Sequence, residues 1–98
     1  MRIRFTTSAR AQFLEGLLYV ALDKPGAARR LRIRAEAALR RLATFPNSGR
    51  IIPEFPTLPH REVVLHPFRF FYRVDKKTVW IVAVWHTKQV PHDPEGGA

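Results

Sequence analysis

The second half of the chain most constrains its fold, because three apolar runs follow one another there with only short polar turns between them. The runs are Arg61 to Leu65, Phe68 to Asp75 and Thr78 to His86. His66-Pro67 and Lys76-Lys77 separate them. Turns of this length join antiparallel neighbours, so the sequence predicts a meander of three short strands.

The start of the chain predicts a strand followed by a helix. Residues Arg2 to Thr6 alternate charged and apolar side chains, as a half-buried strand does. Apolar residues then recur three and four positions apart, which predicts a first helix from about Ser8 to Leu22. The inward stripe expected for this helix consists of Phe13, Leu14, Leu17, Leu18 and Ala21.

A second helix follows a short break. The segment Asp23-Lys24-Pro25-Gly26 interrupts the helical pattern, and its proline suits the first turn of a new helix. The inward stripe expected here consists of Ala28, Leu31, Ala35, Ala38 and Leu42. Phe45-Pro46 ends the helix, because the residue before a proline disfavours helical geometry. Since the link is short, we expect an antiparallel helix hairpin. Residues 47–59 carry three prolines and predict an ordered loop rather than sheet interior.

These elements predict an α+β fold of the order β-α-α-β-β-β, in which the helix hairpin packs on an antiparallel sheet that ends in the meander. The 98 residues suffice for a single domain, residues 1–98. The tail from Pro91 is rich in proline, glycine and aspartate, and we expect residues 92–98 to be flexible. The chain has no cysteine, no apolar run that could span a membrane and no secretory signal, so we expect a cytoplasmic protein.

The charge of the chain predicts an anionic partner. Seventeen lysines and arginines against eight acidic residues give a net charge of +9, and most of the cations are arginine. Arginine binds carboxylate and phosphate through two parallel hydrogen bonds. The second helix carries a stripe formed by Arg30, Arg34 and Arg41, which is either a solvated face or a binding surface. A basic surface kept only for solubility is the alternative explanation of the overall charge.

A two-residue turn at Lys76-Lys77 predicts which residues face each other across the last hairpin. Asp75 then faces Thr78, and the further pairs are Arg73 with Trp80, Phe71 with Val82, and Arg69 with Val84. His86 would lie on the face of Arg69, with Lys88 near the same end of the sheet. Arg61 joins that face only if the first hairpin loop has three residues rather than two.

The opposite face would then be the core face that the helices cover. It would consist of Phe68, Phe70, Tyr72, Val74, Val79, Ile81, Ala83 and Trp85. The cationic face would remain uncovered and available to an acidic ligand. A slip of one residue would exchange the faces of the last strand.

A cationic cluster of this kind could act on RNA. A guanidinium can stabilise charge on a phosphate in transit, and a histidine can transfer a proton near neutral pH. The alternative is structural: Arg69 and Arg73 pair with Glu54 or Glu62, and His86 only ends a strand. His60, His66 and His92 show no spacing typical of metal ligands, and we expect neither a metal nor a cofactor.

The ordered set of motifs resembles the RelE/ParE superfamily of type II toxins, from about Ile3 to Gln89. In the helices it rests on Ala9, Phe13, Ala27-Ala28 and Leu39 to Leu42. In the second half it rests on Pro46-Asn47-Ser48-Gly49-Arg50, Glu54, Arg61-Glu62, Phe71-Tyr72-Arg73-Val74 and Val84-Trp85-His86-Thr87-Lys88. The pattern is similar to the ParE branch in particular.

The resemblance implies a toxin that a cognate antitoxin neutralises in a hetero-oligomeric complex, through an acidic C-terminal antitoxin segment that wraps the toxin. ParE members are known for poisoning DNA gyrase and RelE members for cutting messenger RNA in the ribosome. We therefore expect a ParE-like gyrase inhibitor that acts by binding and needs no catalytic residue. The partner-binding residues would be Arg50, Arg61, Arg69, Arg73, Trp80, His86 and Lys88.

Two alternatives remain at this point. As a RelE-like nuclease, the chain would use Arg69 on the phosphate and His86 in proton transfer, with Arg61 as a further basic residue. No tyrosine follows Trp85, which departs from the pattern common in those nucleases. The other alternative is a basic module that binds nucleic acid.

Overall fold

In the computed structural model, which describes residues 1–89 and 93–95, a helix hairpin packs on one face of a five-stranded sheet. The elements are β1 (Arg2–Phe5), α1 (Thr7–Asp23), α2 (Pro25–Arg40), a short 3-10 helix (Arg41–Ala43), β2 (Arg50–Ile51), β3 (Arg61–Leu65), β4 (Phe68–Asp75) and β5 (Thr78–His86). The predicted α+β fold is confirmed. Residues 90–92 and 96–98, which include part of the predicted tail, lie outside the described residues, and the flexibility of the tail stays a prediction.

The sheet has the strand order β1-β5-β4-β3-β2. The meander β3-β4-β5 is antiparallel with the predicted strand bounds, whereas β1 pairs with β5 in parallel. Parallel neighbours need a long connection, and the helix hairpin with the strands that follow it provides one between β1 and β5. Within the predicted 47–59 loop, Arg50–Ile51 forms a two-residue edge strand against β3.

Helix α1 begins where a threonine caps it. The side-chain oxygen of Thr6 accepts a hydrogen bond of 3.2 Å from the backbone N–H of Ala9, which satisfies a donor of the first turn. Ala9, Phe13 and Leu17 are buried against the sheet. The predicted burial of Leu14 and Leu18 is wrong, since they are 51% and 67% exposed. The sheet and α2 cover only one side of α1, and these two leucines lie on the side that faces away.

Helix α2 follows its predicted stripe closely. Ala28, Leu31 and Ala35 are buried, and Ala38 is half-buried at the rim. Leu42 is buried from the short 3-10 helix that continues α2. Within the described residues no helix combines the length and apolarity that a bilayer crossing needs.

A β-bulge changes the register in the middle of β5. Arg73 faces Trp80 and Asp75 faces Thr78, as predicted, but Phe71 faces Ala83 and leaves Val82 as the extra residue of the bulge. Beyond this point the predicted pairs of Phe71 with Val82 and of Arg69 with Val84 are wrong.

One inserted residue exchanges the faces of everything that follows it. Arg69 therefore faces Trp85, and His86 faces Phe68. Val84 replaces Ala83 and Trp85 on the face that the helices cover, and these two residues belong to the opposite face. His86 consequently does not share the face of Arg69, which corrects the predicted cluster.

The sheet buries apolar side chains on both faces. On the helix face the buried cluster is built around Phe13, Phe68, Phe70, Tyr72 and Ile81. The opposite face, which we call the second face, carries a smaller cluster of Ile52, Phe71, Val82, Ala83 and Trp85, with Phe55 and Trp80 packed against it. The segment that includes Ile52 and Phe55 thus covers part of a face that the sequence predicted to be uncovered.

Candidate partner-binding face

The second face holds two arginines of strand β4, Arg69 and Arg73. Arg69 and Arg73 are four residues apart and flank Phe71, so strand geometry directs all three side chains to the same side of the sheet. Trp80 lies opposite Arg73, as predicted. The predicted grouping of Arg69, Arg73 and Trp80 on one face is therefore confirmed, although the two arginines meet different surroundings.

Arg69 is buried and lies between two carboxylates. Its Nε donates a hydrogen bond of 2.7 Å to Oε1 of Glu62, and its two terminal nitrogens donate bonds of 3.1 and 2.7 Å to the two oxygens of Glu54. The other oxygen of Glu62 accepts a 2.7 Å bond from Nε of Arg50, which lies on β2. We call this set of Arg50, Glu54, Glu62 and Arg69 the buried ion network. The structural alternative is confirmed for Arg69, which pairs with both Glu54 and Glu62, and is wrong for Arg73, which pairs with Glu95 and Asp75.

The location of Glu62 explains why the network is needed. Its side chain is fully shielded from solvent, and strand β3 places it opposite Phe71. A carboxylate in such a position is costly unless cations bind both of its oxygens. Arg69 and Arg50 bind the Glu62 oxygens from two sides. Because Arg50 lies on β2 and Arg69 also binds Glu54, the network ties β2 to β3 and holds the 52–58 segment on the second face.

The contacts within the network favour the charged forms of Glu54 and Arg69. The hydrogen bond from Arg69 lowers the pKa of the Glu54 carboxyl, against a smaller opposing effect of burial. Hydrogen bonds to Glu54 and then to Glu62 raise the pKa of Arg69 above its ordinary value. The guanidinium also lies 5.1 Å from the centre of the Phe71 ring, in the range of a cation–π contact. Arg69 is thus a permanently charged group, and each of its three side-chain nitrogens donates a hydrogen bond within the chain.

Arg73 has a more open environment. Its Nε donates hydrogen bonds of 3.2 and 3.0 Å to the two oxygens of Glu95, and its side chain is 32% exposed. Oε2 of Glu95 also lies 2.6 Å from Nε2 of His60, whose side chain is only 8% exposed. One carboxylate from the end of the chain is therefore bound between a strand residue and a buried imidazole. We call Arg73, His60 and Glu95 the tail site.

Opposing effects determine the ionisation of Glu95. Burial favours the neutral acid, but the hydrogen bonds from His60 and Arg73 together outweigh it and lower the pKa of the Glu95 carboxyl. The second ring nitrogen of His60, Nδ1, is buried and has no hydrogen-bond partner among the described residues. Among the described residues, the contact with Glu95 is therefore the one hydrogen bond that the His60 ring makes.

The predicted residue Arg61 lies on the other face of the sheet. The first hairpin loop contains only His66-Pro67, so Arg61 faces Tyr72 and does not join Arg69. Its guanidinium donates a 3.0 Å bond to the carbonyl of Gly49. The hydroxyl of Tyr72 accepts a 3.0 Å bond from the backbone N–H of Gly49 and donates a 2.7 Å bond to the carbonyl of Pro46. Arg61 thus supports the turn before β2.

The Pro46-to-Arg50 turn depends on glycine at its centre. A Cβ atom on Gly49 would lie 2.5 Å from the Tyr72 hydroxyl and 2.8 Å from the carbonyl oxygen of Glu62. Burial raises the pKa of the Tyr72 hydroxyl, against the effect of its hydrogen bond with Gly49. Gly49, Arg61 and Tyr72, three residues of the sequence motif, therefore hold this turn against the sheet.

The remaining predicted residues are more peripheral. His86 is half-buried at the end of β5, where its Nδ1 accepts a 3.0 Å bond from the backbone N–H of Lys88. Lys88 is exposed in the turn that follows. Arg50 is 58% exposed despite its bond to Glu62. The roles of all these positions in partner binding remain predictions. The structure brings Arg69 together with Arg50 through Glu62, Arg73 with Trp80, and His86 with Lys88.

Sequence reasoning missed His60 and Glu95 as components of a site. His60 precedes β3 next to a proline, and Glu95 lies in the tail that was predicted to be flexible. The acidic pair Asp93 and Glu95 near the end of a basic chain was the available signal, because an acid can serve as an internal ligand for an arginine.

Comparison with known proteins shows a family whose sequence model matches most of this chain. A sequence model described as "ParE toxin of type II toxin-antitoxin system, parDE" matches residues 3–91. A comparison with curated protein sequences found no match.

Two solved structures share the fold. One is described as "Chromosomal ParDE TA system from P. aeruginosa", with a TM-score of 0.73 and 19% identity over 88% of this chain and 95% of that chain. The other is the toxin–antitoxin complex RelBE2 from Mycobacterium tuberculosis, with a TM-score of 0.58 and 23% identity over 87% of this chain and 88% of that chain. At these identities the likeness shows a shared fold.

Proposed function

The chain belongs to the ParE family of toxins from type II toxin–antitoxin systems, and from that premise we propose that it inhibits DNA gyrase in the cytoplasm by binding and that a cognate antitoxin neutralises it. The family match over residues 3–91 is the observation that carries the proposal. The basic charge of +9 supports an acidic antitoxin segment as the neutralising partner. The two similar structures are toxin–antitoxin systems, which agrees with such a partner.

The geometry favours binding over nuclease chemistry. A nuclease would need Arg69 free to contact a phosphate, yet Arg69 is only 6% exposed and donates to Glu54 and Glu62. A proton-transferring histidine would need to lie beside it, but His86 lies on the other face of the last strand. The predicted pair therefore cannot act on one phosphate without rearrangement of the buried ion network.

The direct test measures two activities with the same purified chain. We expect the chain to inhibit gyrase-dependent supercoiling and to leave messenger RNA intact in a ribosome-dependent cleavage assay. Addition of the product of the adjacent antitoxin reading frame should restore supercoiling. Cleavage of messages at the ribosome without an effect on gyrase would overturn the proposal in favour of the nuclease.

The variant His86→Ala sharpens this test. If the chain acts by binding, His86→Ala should retain gyrase inhibition within about twofold, because the hydrogen bond of its half-buried side chain among the described residues is to the following turn. Toxicity in cells should likewise persist. Loss of toxicity together with loss of message cleavage would instead assign His86 to proton transfer.

A further inference from the structure

We infer that Arg73 and His60 form a carboxylate-binding site, which Glu95 of the same chain occupies here and which an acidic side chain of a partner protein would occupy after displacing it. The inference specifies one contact with the acidic partner proposed above and therefore rests on that proposal. It goes beyond it in naming the residues, the ligand group and an internal competitor.

The contacts of the tail site identify its ligand class. Arg73 Nε reaches both oxygens of Glu95, at 3.2 and 3.0 Å, and His60 Nε2 reaches one of them at 2.6 Å. The group observed in the site is thus a carboxylate, held by His60, which directly precedes β3, and by Arg73 on the neighbouring strand β4. A guanidinium nitrogen that reaches both oxygens of one carboxylate marks the ligand as an anion with two oxygens.

His60 explains why the site should stay occupied. Its side chain is 8% exposed, and its Nδ1 has no hydrogen-bond partner among the described residues. Withdrawal of Glu95 alone would remove the one described hydrogen bond of a buried polar ring, which is costly. Exchange for another carboxylate restores that bond. Exchange of Glu95 for another carboxylate should therefore cost less free energy than leaving the site empty.

Glu95 is suited to be replaced. Its side chain is 36% exposed, so an incoming carboxylate can approach before Glu95 has fully left. Beside the site, Trp80 faces Arg73 and is half-buried, which offers apolar surface next to the charge. The matching partner segment would carry an acidic residue next to an apolar one.

Competition by Glu95 has a measurable consequence. A site that is open for only a fraction of the time binds an external ligand more weakly by that same fraction. Removal of the internal carboxylate should therefore strengthen binding of an external one. A nonspecific attraction to the basic chain would change only with the net charge.

The experiment compares two substitutions that change the charge equally. Glu95→Gln removes the internal ligand, whereas Glu36→Gln neutralises an exposed acid on α2, on the other side of the sheet. The probe is a fluorescein-labelled peptide that alternates glutamate and leucine, titrated at fixed salt. We expect Glu95→Gln to tighten binding about three- to tenfold relative to Glu36→Gln, as for a site open between about a third and a tenth of the time.

Further variants test the site itself. Adding Arg73→Gln to Glu95→Gln should abolish the gain, and the peptide should perturb the NMR signals of the His60 ring in the Glu95→Gln chain. Equal affinities for Glu95→Gln and Glu36→Gln would overturn the inference. A gain for a short RNA but none for the peptide would overturn the carboxylate assignment in favour of phosphate.

The outcomes separate this inference from the proposed function. If Glu95→Gln gains affinity while gyrase is unaffected by the chain, the site stands and the cellular target is wrong. If the chain inhibits gyrase but Glu95→Gln gains nothing, the target stands and the site is wrong. Thermal melts of each variant should verify that it is folded.

Discussion

Arg69 and Arg73 lie on the same strand and the same face, yet the fold uses them in opposite ways. The side chain of Arg69 is 7% exposed and held by two carboxylates of the chain's body, while that of Arg73 is 32% exposed and bound mainly by a carboxylate of the tail. The difference arises from what covers each end of the second face. The segment that includes Ile52, Glu54 and Phe55 packs on the second face, and its Glu54 binds Arg69. Arg73 is instead bound by Glu95 of the tail and lies 3.8 Å from the exposed carboxylate of Asp75.

This contrast shows that the identity of a residue on a face does not determine its role. A buried arginine with all of its nitrogens engaged stabilises the fold and is unavailable to a ligand. A half-buried arginine whose closest partner is a partly exposed tail carboxylate can exchange that partner. Of the two predicted arginines, Arg73 is therefore the better candidate for partner binding.

The largest expected effect comes from Arg69→Gln. This change leaves the buried Glu62 with Arg50 alone and Glu54 without its partner, and should lower the free energy of unfolding by about 3–5 kcal/mol. Urea unfolding followed by circular dichroism measures it. A loss below about 1 kcal/mol would show that the buried network behaves like a surface ion pair.

Strand positions were predictable because they depend on local sequence. Proline and lysine turns bound β3, β4 and β5 at the residues that the pattern predicts. The parallel position of β1 and the two-residue strand β2 were not predictable, because they depend on where the helix hairpin and the 52–58 segment pack. Local patterns do not contain that information.

The candidate site was predicted only up to the bulge. Arg73 and Trp80 lie between the turn and Val82, so counting from the turn gave the right pair. Val82 and Ala83 are both buried on the second face, which no alternating pattern anticipates. In α1, Leu14 and Leu18 fit the helical period as well as Leu17 does, and only the position of α2 and the sheet decides which of them is buried.

A smaller effect is expected from Glu54→Gln, and it depends on pH. The hydrogen bond from Arg69 lowers the pKa of Glu54 in the folded state below its ordinary value of 4.5. The pair therefore contributes stability above that value and loses it as the pH falls through the lower folded pKa. Glu54→Gln should cost about 1 kcal/mol near neutral pH, because solvent partly screens the 39% exposed side chain, and almost nothing in strong acid.

Unfolding midpoints measured from neutral to acidic pH test this prediction. Glu36→Gln on the opposite side of the sheet is the matched control and should follow the unmodified chain. If Glu54→Gln and the unmodified chain lose stability in parallel as the pH falls, Glu54 does not contribute the acid sensitivity, and the network is less important than its geometry indicates.

The smallest effect on stability should come from Arg73→Gln. Glu95 would keep its bond to His60, and Arg73 is partly exposed, so the change should lower the free energy of unfolding by about 0–1 kcal/mol. The same urea experiment as for Arg69→Gln measures it, and the two variants remove the same charge from one strand. Their difference is therefore free of the effect of net charge. If Arg73→Gln were as destabilising as Arg69→Gln, the Glu95 carboxylate would be a fixed part of the fold. A partner that displaced it would then lose several kcal/mol of stability, and the proposed exchange would be wrong.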